Sequence, residues 1–141
     1  MELIGIKTPL IESDDNLVDV ILESNAEDKL KDNDIIVIAS SVVSTVLGKT
    51  RKIAEVEPSE EGKKIAEESG LDEKFAEIIL QESDEIIGPS DKCILTIKDG
   101  MLRINAGVDR TNVPPGYALL ITEDTDKIAE ELRKEFEEKT G

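Results

Sequence analysis

The sequence predicts one α+β (mixed α/β) domain over residues 1–141: a small mixed sheet with a β-hairpin and about five helices. Three observations predict it. Two strand-like runs, Cys93 to Lys98 and Met101 to Ile104, flank Asp99-Gly100, the chemistry of a type I′ hairpin turn. Two continuous apolar runs, Ile35-Ile36-Val37-Ile38-Ala39 and Ala118-Leu119-Leu120-Ile121, read as strands buried on both faces. Between these, apolar residues recur at helical spacing, with capping residues before them and glycine after.

Taken in order, Glu2 to Ile6 reads as a short strand, followed by a loop broken at Pro9. Leu17, Val18, Ile21 and Leu22 share a helical face, and Asp14 to Asn16 supply the N-cap, which accounts for that acidic cluster without a metal. Lys31-Asp32-Asn33-Asp34 is a turn into the 35–39 strand, which delivers the chain to Ser40, Ser41, Ser44 and Thr45. Hydroxyls after a buried strand often meet a ligand, and they equally suit a short Ser/Thr-capped helix. Gly48-Lys49-Thr50 is not a P-loop, because the motif needs glycine where Val43 stands and Pro58 follows too soon for a long helix. Ser59 to Ser69 reads as a helix opened after Pro58 and closed by Gly70. Leu71 to Ser83 is a second, with Phe75, Ile78 and Ile79 on its apolar side, and Gly88-Pro89-Ser90 is expected to break the chain. After the 118–121 strand, Glu123 to Asp126 cap a helix from Lys127 to Thr140 that aligns Ile128, Leu132 and Phe136, with Gly141 as C-cap.

Composition removes several classes of function. The chain has 17 Lys+Arg against 33 Asp+Glu, a formal net charge of −16, which argues against nucleic-acid and anionic-membrane partners. With no histidine, Ser-His-Asp and Cys-His mechanisms and His-ligated zinc are excluded within this chain. Cys93 is the single cysteine, so no intramolecular disulfide forms, and its place at the start of an apolar strand makes it a small packed residue. No signal-peptide pattern opens the chain and no apolar run approaches the ~20 residues of a membrane span. The reading is a soluble, cytoplasmic protein.

The hairpin's second strand runs into Asn105-Ala106-Gly107-Val108-Asp109-Arg110-Thr111-Asn112-Val113-Pro114-Pro115-Gly116. This polar loop hangs on sheet, where its position can be held. Gly107 permits close approach of backbone to a ligand, and a lone carboxylate at Asp109 suits Mg²⁺ or Mn²⁺ that is itself bound to phosphate. The same residues also make an ordinary turn, in which Asp109 and Asn112 bond their own backbone. Local chemistry leaves both open.

Five segments in order resemble the gamma-glutamyl ligase family of the deazaflavin coenzyme F-420: Gly5 to Ile11 with Asp14-Asp15; Ile35 to Ser44; Pro58-Ser59 with its helix; Ile79 to Ser83; and Asn105 to Asp109 with Asn112-Val113. The last is the most specific, since Asn-Ala-Gly-Val-Asp followed closely by Ser-Asn or Thr-Asn is the family's signature. The resemblance spans this chain but only the first part of a family member. It implies GTP and a divalent metal, Mg²⁺ or Mn²⁺, as cofactors. It implies as substrates an F-420 precursor, whose carboxylate becomes an acyl phosphate, and L-glutamate, whose amine attacks it. It places Asp109 on the metal, with Pro9, Leu10, Ser40, Ser41, Ser44, Asn105, Gly107 and Asn112 near the nucleotide, and assigns no residue a catalytic role. It further implies a homodimer, or a partner chain that supplies the missing half. The chain departs from the family at Ser44-Thr45-Val46-Leu47-Gly48, where many members carry Ser-Lys-Ala-Glu-Gly. A following strand with an Asp-Thr pair, expected to complete the metal site, would lie past Gly141. The alternative to an active ligase domain is therefore a non-catalytic module that binds nucleotide or assembles with a partner chain.

Overall fold

A computed structural model describes residues 2–26 and 30–141. By internal packing the chain divides into two compact units, Met1–Gly48 with Thr122–Gly141, and Lys49–Ile121. The α+β class holds. Among the described residues there are five α-helices and two small sheets, and every strand pairing is antiparallel. Among them, too, no helix is long and apolar enough to cross a membrane.

In the first unit, α1 (Leu17–Ile21) starts where Asn16 accepts the Asp19 N–H, as its sequence predicts, and continues into a π-turn at Leu22–Ala26. The other helices are α2 (Ser40–Val46) and α5 (Thr125–Thr140). Leu17, Val18, Ile21 and Phe136 form the buried centre, with Ile6, Ile11, Ile36, Ile38, Val43 and Leu132 packed against it. Lys139 ties the end of α5 to α1 through Asp19, 2.5 Å away.

Two expected strands are absent from this unit. Neither Glu2 to Ile6 nor Ile35 to Ala39 is in a ladder, because no described segment offers them backbone partners. Nor is the second run buried on both faces: Ile36 and Ile38 pack inward, while Ile35 and Val37 are 88% and 85% exposed. Strand-forming side chains make a sheet only where a neighbour accepts and donates along the edge.

In the second unit, β1 (Thr50–Lys52) pairs with β5 (Tyr117–Leu119), with Arg51 opposite Ala118. A three-stranded sheet runs β2 (Glu85–Ser90), β3 (Cys93–Lys98), β4 (Met101–Ile104), in that order. The hairpin joining β3 to β4 forms as expected, with Asp99 and Gly100 at φ 53° and 70°. The expected break at Gly88-Pro89-Ser90 is instead part of β2. Pro89 is tolerated there because β2 is an edge strand, and the register shifts between Ile86 and Gly88. Helices α3 (Glu60–Ser69) and α4 (Glu73–Glu82) follow their caps, Ser59 and Asp72. Their buried faces meet Ile94, Ala106, Val108 and Ala118 in one core, which sits directly beneath the Asn105 loop. Cys93 is a free, half-buried thiol.

Candidate functional site

The candidate residues divide between the units: Asn105, Gly107, Asp109 and Asn112 in the second, and Pro9, Leu10, Ser40, Ser41 and Ser44 in the first.

The Asn105 loop is held by an unusual backbone. Asn105, Ala106 and Gly107 have successive φ values of 54°, 53° and 77°. For the two that are not glycine, the left-handed region costs about 1–2 kcal/mol each. The surroundings impose this shape. The Asn105 side-chain oxygen accepts the Ile94 N–H at 2.8 Å. The Ala106 N–H donates to Thr96 Oγ1 at 3.0 Å, and that hydroxyl donates to the Arg103 carbonyl at 3.0 Å. Thr96 and Ala106 are both fully buried. A Cβ on Gly107 would lie 3.0 Å from Ile121 Cδ1 and 3.2 Å from its Cβ, so the close approach that glycine permits is made to Ile121. Strained backbone persists only where its surroundings over-determine it, and such places concentrate at functional sites.

Two residues on, Asp109 exchanges backbone hydrogen bonds with Leu119 of β5, at 2.9 and 2.7 Å. Its carboxylate is occupied by its own turn. Oδ1 accepts the Thr111 N–H at 2.8 Å and the Thr111 hydroxyl at 2.7 Å, and Oδ2 accepts the Asn112 side-chain amide. Burial works to raise the Asp109 pKa, but these bonds from Thr111 and Asn112 outweigh it and hold the carboxyl below its ordinary range. Arg110 lies over the Phe75 ring, 4.0 Å from its centroid. The expected turn thus forms in part: Asp109 bonds the backbone at Thr111, whereas the Asn112 side chain bonds the Asp109 carboxylate and not its own backbone. A carboxylate has about four acceptor positions, and three are taken. Among the described residues no three Cys, Asp or Glu side chains converge as a metal cluster. One partly engaged carboxylate is too few for a hard cation, so these residues alone do not fit a resident metal.

In the first unit, Pro9 and Leu10 are exposed, Leu10 at 85%. Ser40 to Val46 form the short helix α2, the helical alternative for this segment. Its N-cap position is Ala39, which supplies no side-chain bond to the first N–H groups, and Ser40 is exposed there. Ser44 is buried, and its hydroxyl is paired with that of Thr122 at 2.8 Å, so it serves the packing of this unit.

Three supporting residues escape a reading of the sequence. Thr96 holds the strained turn, Thr122 pairs with Ser44, and Glu77 anchors Ser59. The only signal for Thr96 is its place between Ile94 and Lys98 on the inward face of β3. Glu82 and Ser83, which end α4, are also engaged: Glu82 pairs with Lys98 at 2.8 Å and Ser83 bonds the Ile79 carbonyl.

The family described as F420-0:Gamma-glutamyl ligase matches residues 5–141. The chain is similar to the coenzyme F420:L-glutamate ligase of Methanopyrus kandleri, 40% identical over 129 residues that cover 90% of this chain and 50% of the relative. It is likewise similar to the ligase of that name from Archaeoglobus fulgidus, at 35% identity over 94% of this chain and 52% of the relative. With that of Methanothermobacter thermautotrophicus the identity is 37%, over 100% of this chain and 58% of the relative. The chain thus spans about half the length of the curated relatives it matches. The match takes in the Asn105 turn and nearly all of both units, and on it the chain belongs to the F420-0:Gamma-glutamyl ligase family.

Proposed function

We propose that this chain is the nucleotide- and metal-binding part of a ligase that adds L-glutamate to a coenzyme F-420 precursor. The reaction consumes GTP in two steps. A carboxylate of the precursor takes the terminal phosphoryl group, giving an acyl phosphate and GDP. The glutamate amine then displaces phosphate and forms the amide. Catalysis of this kind rests on positioning and on stabilising developing negative charge, and needs no histidine. The carrying observation is the family match together with the strained turn at Asn105 to Gly107, which leads into Asp109, bridged to β5, with Asn112 bonded to the Asp109 carboxylate. The nucleotide-binding candidates are proposed separately for each unit: Asn105, Gly107 and Asn112 in the second, and Pro9, Leu10, Ser40, Ser41 and Ser44 in the first. Asp109 contributes one carboxylate toward Mg²⁺ or Mn²⁺, whose other ligands would come from phosphate and from the remaining half of the family's length. The working form is a homodimer or an assembly with a chain that carries that half, in the cytoplasm.

The lone carboxylate favours one second reading, a non-catalytic module of the same family that binds nucleotide or assembles with a partner. Thermal unfolding with GDP, with and without Mn²⁺, beside the Asp109→Asn variant, tests the ligase reading. A ligand at a hundredfold over its Kd adds about 2.7 kcal/mol, a midpoint rise of several degrees in a chain this size. The expected result is a metal-dependent rise that the variant loses, each rise being read from that protein's own unliganded midpoint. That midpoint is lower in the variant because an amide cannot accept all the bonds that Thr111 and Asn112 donate to the carboxylate. No rise in either protein refutes a nucleotide site within this chain.

A further inference from the structure

We propose that Ile35 to Ile38 is a strand-addition site, filled by a β-strand from the half of the family's length that this chain does not contain. The inference rests on the family reading above, and specifically on relatives that carry about as much chain again.

Four observations converge on this segment. Ile35-Ile36-Val37-Ile38 is β-branched throughout, the composition of a strand covered on both faces. Its side chains already alternate as a strand's do: Ile36 and Ile38 pack on the core of the first unit, and Ile35 and Val37 stand out in solvent at 88% and 85% exposure. Among the described residues, no backbone hydrogen bond is made by Ile35, Ile36, Val37 or Ile38. Lastly, residues 35–38 hold no charge, no proline and no bulge, three of the devices that protect a free edge.

An added strand answers each of these at once. Its backbone takes the unpaired N–H and C=O groups, and the layer it belongs to covers Ile35 and Val37. The groove beside the segment has an apolar stretch made by Ile36, Ile38, Val43, Ile128, Leu132 and Phe136, and its lining also carries polar and charged groups, among them Asp34, Arg133 and Glu137. Leu3 and Leu10, 93% and 85% exposed in the same unit, fit the same missing layer.

The test co-expresses this chain with the polypeptide covering the half of the Methanopyrus kandleri ligase that the chain does not match, and likewise with the corresponding halves from the other two relatives. Amide hydrogen exchange is followed across residues 34–39. The expected result is a complex in which the amides of Ile35 to Ile38 exchange at least tenfold more slowly than in the chain alone. Val37→Lys is expected to weaken co-purification at least tenfold. Because Val37 is largely exposed, that variant should keep the midpoint of the free chain, and Leu47→Lys, which adds the same charge elsewhere, should bind normally. Three outcomes overturn the proposal: no complex with any of the three halves, a complex without protection at residues 35–38, or protection from concentration-dependent self-association of this chain alone. None of these readouts uses GTP or glutamate, so a failed nucleotide shift sinks the ligase reading while leaving the docking result to stand on its own.

Discussion

Gly62→Ala should destabilise the second unit, against its helix propensity. Gly62 sits in the first turn of α3, where alanine in an open helix adds about 1 kcal/mol. Here a Cβ would lie 2.2 Å from Glu77 Oε2, with the Glu77 Cδ and Cβ at 3.3 and 3.4 Å. Moving a carboxylate at the end of a flexible chain is sterically cheap. The cost comes from what the carboxylate holds: Oε2 accepts the Ser59 N–H at 2.9 Å and the Ser59 hydroxyl at 2.6 Å. That hydroxyl in turn accepts the Gly62 N–H at 3.0 Å, so Glu77 anchors the cap of α3. Hydrogen bonds to a charged group contribute roughly 1.5–3 kcal/mol each, so losing two and recovering about 1 from propensity leaves a net loss of about 2–5 kcal/mol. The assay is thermal unfolding at pH 7, where the midpoint should fall by roughly 8 °C or more. In a Glu77→Ala background the same substitution should be neutral or stabilising by up to about 1 kcal/mol. An unchanged or raised midpoint for the single variant, or an equal loss in both backgrounds, would refute the anchoring role of Glu77.

Acid should reveal the same carboxylate. Burial works to raise the Glu77 pKa, but hydrogen bonds from Ser59 and Gln81 and the charge of Arg51 outweigh it, leaving the group below its ordinary 4.5. Its contribution is therefore full above that value and is lost as pH falls through the lowered one, so Glu77→Gln should flatten the acid limb of the midpoint-against-pH curve; superimposable limbs would contradict this. Thr96→Val keeps the shape of the side chain but leaves the buried Ala106 N–H without its acceptor, an expected loss of about 2 kcal/mol in a denaturant titration, whereas Thr96→Ser should retain most of the stability. Glu82→Ala strips the partner from Lys98, whose side chain is only 6% exposed, and should cost about 3 kcal/mol by the same measurement; a loss under 1 would mean the lysine finds water instead.

What the sequence determined by itself is local. Asp99-Gly100 sets its hairpin because a pair that accepts the left-handed region closes a two-residue loop with the twist of the flanking strands. Ser59, Asp72 and Gly70 place helix ends because their side chains or their φ freedom satisfy the orphan groups of a terminus. The Asn105 loop could be singled out for its residues and its place after a strand, and a turn with Asp109 bonding nearby backbone was one of the two readings its residues allowed; that Thr111 and Asn112 side chains also donate to it came from the structure. Tertiary structure decided the rest. It chose the hinge of the loop, because the partners that hold Asn105 and Ala106 in the left-handed region, the Ile94 N–H and Thr96 Oγ1, come from a neighbouring strand. It assigned Ser44 to Thr122, a residue 78 positions away. It also left Ile35 to Ile38 without a backbone partner among the described residues, although their composition is that of a buried strand. Propensity and periodicity report what a segment is suited to become, while a sheet's hydrogen bonds and a packed face depend on a second segment supplying the other side.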